Sequence, residues 1–369
     1  MLKSFAIRVS SVVVAAVMML VAVFVPVKNY DVREPEDCKL NFSILSDSHI
    51  ETTNPTRYRV FLKCLEDVRK IESGNDAVVF PGDDTMNGQV IENMMFYGAV
   101  RMLLPKDTPV LPVVGNHDIG NDEGDPAKLR RRWCDFTNAF CGKKLTTPYY
   151  SEVIDGYTFI VLGPESNGDT FNLSMSEAQF EWLEGELKKA EESGKPLFVF
   201  SHYPPDDATD IDGKPTDRLI DMMAEYNRKN DVFYFYGHTH MPLYLFWSFP
   251  ESDGFPEVNL PRLTELGSGK DNEIFENTGI GAVVEVYGDR VIVRGRDFYR
   301  GEWRIESDGE ACEKTYLLKN PEPKEETETT LLPFPFFPIS ETSTDPAEPI
   351  KNKREISTPR WQITCHLGF

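Results

Sequence analysis

Five short segments of the sequence carry side chains that can bind metal ions or transfer protons, and each follows an apolar run. Aspartate, asparagine and histidine supply the oxygen and nitrogen ligands that first-row transition metals accept. Five of the six histidines of the chain fall in these segments, and only His366 lies elsewhere. Such clustering predicts a metal centre rather than scattered structural histidines. The segments are SDSH (46–49), GDD (82–84), GNHD (115–118), SHY (201–203) and GHTH (237–240).

The spacing within two segments supports a shared site. Residues two apart in an extended chain project to the same side. Asp47 with His49, and His238 with His240, can therefore each aim two side chains at one point. Glycines beside the candidate ligands let the backbone turn sharply there. These glycines are Gly82, Gly115 and Gly237.

The elements that must position these side chains form an alternating pattern. The apolar runs are short and rich in β-branched and aromatic residues, which is typical of strands buried on both faces. Between them, apolar residues three and four apart predict helices. Open α/β sheets build their sites at the carboxyl ends of the strands, where all five segments fall. The predicted strands cover 40–45, 76–80, 108–114, 157–162, 196–200 and 231–236, and the predicted helices cover 57–72, 88–104, 127–140, 176–192 and 215–229.

The rest of the sequence gives the expected domain boundaries. After residue 240, GAVVEVYGDRVIVRGRDF predicts two antiparallel strands around the turn Gly288–Asp289. A layered α/β domain is expected over 39–304, preceded by a linker at 28–38. Proline, glutamate, serine and threonine are abundant from 305 to 369, which predicts a low-complexity, disordered tail.

The N-terminus has the pattern of a membrane-targeting segment. A basic stretch, 1–9, precedes a predicted transmembrane anchor or signal segment at 10–27, whose core is apolar from Val12 to Val27. A buried helix is the alternative interpretation. The charges that flank the segment favour a chain anchored in the membrane with its catalytic domain on the exported side, or secreted if the segment is cleaved.

Composition excludes some classes of function. A net charge of −21 argues against binding to a nucleic-acid duplex, which needs a basic face. A chain of 369 residues needs no metal merely to fold, so metal ligands here would serve chemistry. The six cysteines form no C-x-x-C pair, which disfavours structural zinc, although Cys134 and Cys141 could bridge in an exported chain. The sequence does not fix the oligomeric state.

Taken in order, the series D-x-H, G-D, G-N-H-D, H and G-H-x-H resembles the calcineurin-like metallophosphoesterase superfamily over residues 47–240. The resemblance implies a four-layer α/β/β/α sandwich with mixed sheets and a centre of two divalent or trivalent transition-metal ions, manganese, iron or zinc. It also implies that His117 lies beside the substrate and assists the leaving group. The implied ligands are Asp47, His49 and His240 for one metal, Asn116, His202 and His238 for the other, and Asp83 as the bridge between them.

Such a centre would hydrolyse phosphate esters, either phosphomonoesters or phosphodiesters. Two divalent ions carry four positive charges, of which Asp47 and Asp83 neutralise two, so about one net positive charge remains once a bridging hydroxide is bound. That metal-bridging hydroxide would attack phosphorus in line with the leaving oxygen. His117 would protonate this oxygen, and Asp118 would steady His117. The alternative is a catalytically silent, membrane-tethered module that binds metal or phosphate.

Departures from two branches of the superfamily narrow the class further. Purple acid phosphatases have a tyrosine three residues after the G-D aspartate, where this chain has Met86. Protein serine/threonine phosphatases have an arginine shortly after G-D, and GDDTMNGQ has none. This segment is closer to the G-D-x-T-x-x-G form of phosphodiesterase-like members. Asn87 could contact phosphate or form a turn, and Tyr203 could stack on a substrate ring or pack against Pro204.

Overall fold

The computed structural model describes residues 28–120, 124–266 and 274–322. Within these residues, strands and helices alternate along the chain and give way mainly to strands after β9. The strands are β1 (Leu40–Ile44), β2 (Ala77–Phe80), β3 (Val110–Pro112), β4 (Tyr150–Ile154), β5 (Tyr157–Val161), β6 (Leu173–Met175), β7 (Leu197–Phe200), β8 (Ala208–Asp210), β9 (Val232–Tyr236), β10 (Glu257–Asn259), β11 (Ile280–Val286), β12 (Arg290–Asp297), β13 (Glu302–Trp303) and β14 (Glu313–Leu317). The helices are α1 (Pro55–Val68), α2 (Val90–Leu103), α3 (Pro126–Cys141), α4 (Glu177–Glu191), α5 (Arg218–Asn227) and α6 (Leu245–Ser248).

Two mixed sheets form the centre of the described fold. The first has the order β13-β12-β11-β1-β2-β3, and β14 also pairs with β12. Its strands β1, β2 and β3 are parallel, whereas β11 runs antiparallel to β1. The second has the order β10-β9-β7-β5-β4, in which only β4 is antiparallel to its neighbour. Five of the parallel strands, β1, β2, β3, β7 and β9, end in the segments that carry the candidate ligands.

Three hydrophobic layers separate the two sheets and their covering helices. Between the sheets, Phe42 of β1 packs edge-on against Phe159 and Phe198 of the second sheet, with ring centroids 5.1 and 5.0 Å apart. Helices α1 and α2 cover the outer face of the first sheet, and α4 and α5 cover that of the second. The expected mixed α/β architecture is confirmed, with its layers in the order α/β/β/α.

The domain extends beyond both boundaries expected from the sequence. Strand β14 follows residue 304 but pairs with β12 along its whole length, so the fold continues into the region expected to be a disordered tail. Residues 28–38 were expected to be a linker, yet Tyr30 is buried and contacts the ring of Trp303 at 5.7 Å. In both places, pairing with a distant element overrides a local composition that is polar or rich in proline.

Other terminal expectations remain predictions. The predicted membrane segment at 10–27 and the tail from 323 to 369 lie outside the described residues. Among the helices that the structure describes, none has the length and apolar character needed to cross a bilayer. Cys134 and Cys141 are free thiols in the structure, as are Cys38, Cys64 and Cys312.

Candidate metal centre

Five loops meet at one edge of the sandwich, where parallel strands of both sheets end. The loops after β1, β2 and β3 come from the first sheet, and those after β7 and β9 come from the second. The seven side chains expected to bind metal all lie in these loops. Five of them are buried, whereas His238 and His240 are partly exposed, with 32% of the His240 side chain accessible. Each of these apolar strands delivers the residues that follow it to the same edge, so the predicted ligands lie together there.

The first set of donors surrounds Asp47. Its Oδ1 lies 3.0 Å from Nε2 of His240 and 3.5 Å from Nε2 of His49. The two histidine nitrogens are 3.2 Å apart. With Asp83 they form a group whose ligand atoms all lie within 4.8 Å of one another, so these four residues could hold a metal ion.

The second set surrounds Asn116. Its Oδ1 lies 3.0 Å from both Nε2 of His202 and Nδ1 of His238. These two histidine nitrogens are again 3.2 Å apart. Ligands bound about 2.1 Å from one ion lie about 3.0–3.4 Å apart at octahedral or tetrahedral angles, which matches both histidine pairs.

Asp83 lies between the two sets. Its Oδ2 is 3.3 Å from Nε2 of His202 and 3.6 Å from Nε2 of His49, one histidine from each set. The structure therefore brings together all seven residues predicted as ligands, around a carboxylate that both sets share. The donors are imidazole, carboxylate and amide groups without thiolate, a chemistry suited to manganese, iron or zinc.

Three glycines provide the space in which ligands from other strands fit. A Cβ on Gly82 would lie 2.7 Å from Nδ1 of His202, and one on Gly115 would lie 2.3 Å from Oδ1 of Asp83. A Cβ on Gly237 would lie 2.2 Å from Oδ2 of Asp47. The sequence predicted a sharp turn at these glycines, but of the three only Gly82 has a positive φ. Close packing explains why Gly115 and Gly237 lack a side chain.

The backbone of the ligand residues is strained. Left-handed φ values are uncommon outside glycine and cost roughly 1–2 kcal/mol each. Among the described residues other than glycine, only six have a left-handed φ. Five of them are candidate ligands, and the other is Asp155 in the β4–β5 turn. Strain of this kind persists where the surrounding structure fixes it, and it concentrates at functional sites. The five at the site are Asp47 (57°), His49 (41°), Asp83 (51°), His238 (64°) and His240 (54°).

The charges at the site favour a cation. Burial would raise the pKa of Asp83, but protonated His202 outweighs that effect and lowers it to about 2. Burial would lower the pKa of His202, but Asp83 and Asp47 together raise it to about 9. Burial lowers the pKa of both His49 and His238 to about 4, so these imidazoles are neutral at pH 7 and can bind metal through a free lone pair.

His117 lies next to the ligands, but it is oriented differently from the sequence expectation. Its Nδ1 lies 3.0 Å from the carbonyl oxygen of Met86, and its Nε2 lies 4.0 Å from Oδ2 of Asp83. Since a carbonyl only accepts, Nδ1 carries the proton and Nε2 faces the site. The carboxylate of Asp118 instead accepts bonds from the backbone of Thr85 and Gly115. The expected contact of Asp118 with His117 is thus replaced by the Met86 carbonyl, because adjacency in sequence does not fix the direction of a side chain.

Buried polar residues behind the ligands have structural roles or lack partners. Burial and the charge of Asp83 raise the pKa of Asp118 to about 6. Asp84 is fully buried, and neither of its carboxylate oxygens has a hydrogen-bond partner among the described residues. Asn87 donates to Glu92 in a turn, at 3.0 Å. Tyr203 is buried and donates to the carbonyl of Thr170 at 2.6 Å, so it is not free to stack on a substrate.

The fold and this site agree with the comparison to known families. The model of the calcineurin-like phosphoesterase family matches residues 40–242, which is more than half of the chain. The chain belongs to the calcineurin-like phosphoesterase family. Its enzymatic class is therefore phosphoesterase, and the matched region contains all seven candidate ligands.

Individual relatives share less of the sequence. The chain is 25% identical over 219 residues to the probable glycerophosphodiester phosphodiesterase GpdQ of Arcobacter nitrofigilis, a match that covers 55% of this chain and 73% of that protein. It is 28% identical over 179 residues to the human cyclic GMP-AMP phosphodiesterase SMPDL3A, covering 41% of this chain and 37% of the relative. Among solved structures, purple acid phosphatase PPD1 from yellow lupin matches with a TM-score of 0.48 and 15% identity, over 72% of this chain and 52% of that one.

Proposed function

We propose that this chain hydrolyses phosphodiesters at a centre of two transition-metal ions. The observation that carries the proposal is the position of Asp83, whose Oδ2 lies 3.3 Å from His202 and 3.6 Å from His49. A carboxylate that faces one histidine of each donor set is suited to bridge two ions. Family membership supports metal-dependent chemistry on a phosphate ester.

The ligands fall into two sets, and metal ions bound there would supply Lewis-acid polarisation of the phosphoryl oxygens and an acidified water. The first set is centred on Asp47, and the second is centred on Asn116. Only two of the ligands, Asp47 and Asp83, carry negative charge, which leaves the loaded site positive towards an anionic ester. Burial and the charge of Asp118 raise the pKa of the buried Asp84 well above its ordinary value, which disfavours a further negative charge behind the ligands.

His117 is the proposed proton donor to the leaving oxygen. The Met86 carbonyl accepts a hydrogen bond from the Nδ1–H of His117. When the ring is protonated, its second N–H, on Nε2, therefore points towards the site. Its backbone N–H is fixed on Asp83 at 2.8 Å. The ring also packs edge-on against His49, with centroids 4.6 Å apart, and 17% of the side chain remains exposed. These contacts fix the ring and leave its edge accessible to a substrate from solvent.

The preference for diesters is supported by the two relatives, one named a glycerophosphodiester phosphodiesterase and the other a cyclic GMP-AMP phosphodiesterase. The loop after Asp83 also lacks an arginine that would bind the extra charge of a monoester dianion.

The test combines metal analysis with turnover. Purified protein should bind up to two manganese, iron or zinc ions and cleave bis(p-nitrophenyl) phosphate faster than p-nitrophenyl phosphate. Faster cleavage of the monoester would reject the diester preference and keep the phosphoesterase. Metal binding without turnover of either ester, with all three metals tested, would instead favour the silent metal-binding module.

A further inference from the structure

Two arginines that belong to none of the motifs lie at the rim of the metal centre. Arg262 forms a parallel bridge with Ser46, and the next residue, Leu263, donates to the Ser46 carbonyl at 2.9 Å. Arg262 is thereby held beside the loop that carries Asp47. Arg57 lies in the first turn of α1, which follows the same loop.

Arg57 is connected to the proposed proton donor through Met86. Its Nη1 lies 3.5 Å from Sδ of Met86, whose carbonyl accepts from His117. The same Nη1 donates to Glu51 at 2.8 Å. Arg57 therefore lies on the same side of the site as His117.

Both guanidinium groups retain donors without partners. Arg262 donates no hydrogen bond to another described residue, and its nearest acid, Glu265, is 4.0 Å away, beyond hydrogen-bonding distance. The Nε of Arg57 and that of Arg262 are both buried and lack a partner among the described residues. The side chains are only 15% and 17% exposed, so water satisfies little of this unmet capacity.

The two positive charges are also close enough to affect their surroundings. Burial and then Arg262 lower the pKa of Arg57. Glu51 and Glu265 offset part of this charge, but they engage few of the five N–H donors on each guanidinium. Planar guanidinium groups with free donors are the preferred partners of phosphate oxygens.

We propose that Arg57 and Arg262 form a second anion subsite, which binds a phosphate group carried by the leaving group of the substrate. The inference builds on the proposed function, since it assigns the substrate class as an ester whose leaving group bears a second phosphate. The first phosphorus would lie at the metals and the second at the arginines.

Binding of non-hydrolysable phosphonates tests the subsite without turnover. Calorimetry on the manganese-loaded protein would compare alkane diphosphonates, from ethane to hexane, with the monophosphonate of the same length. At least one diphosphonate should bind about tenfold more tightly than the monophosphonate of the same length. A tenfold difference in Kd is roughly what one charge-assisted hydrogen bond contributes. R262A and R57A should each remove most of this advantage, and R59A, an exposed arginine on α1, should keep it.

Variants that fold poorly are replaced by R262Q and R57Q, and thermal melting verifies folding of each protein. The proposal is overturned if no diphosphonate binds more tightly than the monophosphonate of the same length. It is also overturned if the tighter binding of the diphosphonate survives in both arginine variants. Turnover of bis(p-nitrophenyl) phosphate is measured separately. If wild type lacks turnover but keeps an arginine-dependent advantage, the proposed catalysis fails and the subsite stands.

Discussion

The backbone N–H of His117 donates a 2.8 Å hydrogen bond to Oδ1 of Asp83, while Oδ2 of the same carboxylate faces His49 and His202. One side chain thus relates the proposed proton donor to both sets of ligands. A small displacement of Asp83 would therefore shift His117 and the candidate ligands together.

Replacing Asp83 by asparagine should remove at least one metal ion and lower kcat by more than about 100-fold. Mutation of a residue that only hydrogen-bonds to a metal ligand already lowers metal affinity or activity by about 10–100-fold, and Asp83 is itself a proposed ligand. Asparagine keeps the shape of the side chain but has one neutral oxygen where the carboxylate offers two. Elemental analysis and steady-state kinetics on the same preparation measure both effects. Full metal content with unchanged turnover would show that Asp83 does not bridge.

The variant H117A should retain its metals and lose about 10²–10⁴-fold in kcat on an alkyl phosphodiester, whose alkoxide needs a proton to leave. The loss on bis(p-nitrophenyl) phosphate should be much smaller, since p-nitrophenolate leaves without one. The ratio of the two losses is the informative quantity. A uniform loss on both esters would contradict the assignment of His117 as proton donor.

The variant G115A should weaken metal binding and destabilise the fold by about 1–3 kcal/mol. Its Cβ would lie 2.3 Å from Oδ1 and 2.4 Å from the backbone nitrogen of Asp83, so that residue must move. G185A is the matched control, because no atom lies within 4 Å of a Cβ there and α4 would gain about 0.5–1 kcal/mol. Urea denaturation and metal titration distinguish the two variants, and equal behaviour would refute the packing role of Gly115.

Glu257 on β10 should make stability depend on pH. Burial, aided by the charges of Asp253 and Asp206, raises its pKa from 4.5 to about 8. The folded protein therefore holds a proton that the unfolded chain releases, and the stability this provides is complete below pH 4.5 and lost as pH rises towards 8. The slope is at most about 1.4 kcal/mol per pH unit.

The variant E257Q should lack this part of the pH dependence. Urea denaturation of wild type, E257Q and E302Q between pH 5 and 8 measures it, with E302Q as the control for an exposed glutamate. Wild type and E302Q should lose stability in parallel, while E257Q loses less. Three parallel curves would show that Glu257 titrates alike in the folded and unfolded chains.

The sequence predicted the elements that local patterns specify. The apolar run at 231–236 predicts a strand, and β9 covers Val232–Tyr236. β14 was missed because EKTYL has little apolar character, and its pairing with β12 specifies it. The partner of Asp118 and the left-handed backbone of the ligands depend on contacts between strands. Arg262 was missed for the same reason, since only its bridge to Ser46 brings it to the site.

The three motif glycines have a consequence for engineering. Gly82 makes room for His202, Gly115 for Asp83 and Gly237 for Asp47, so each loop is shaped to accommodate a residue delivered by another. If a single loop is transplanted from a homologue, the new loop no longer fits the residue that an unchanged loop packs against it. Functional chimeras should therefore exchange the contacting loops as a group. The region between Asp47 and His240 is then the smallest segment to exchange as a whole.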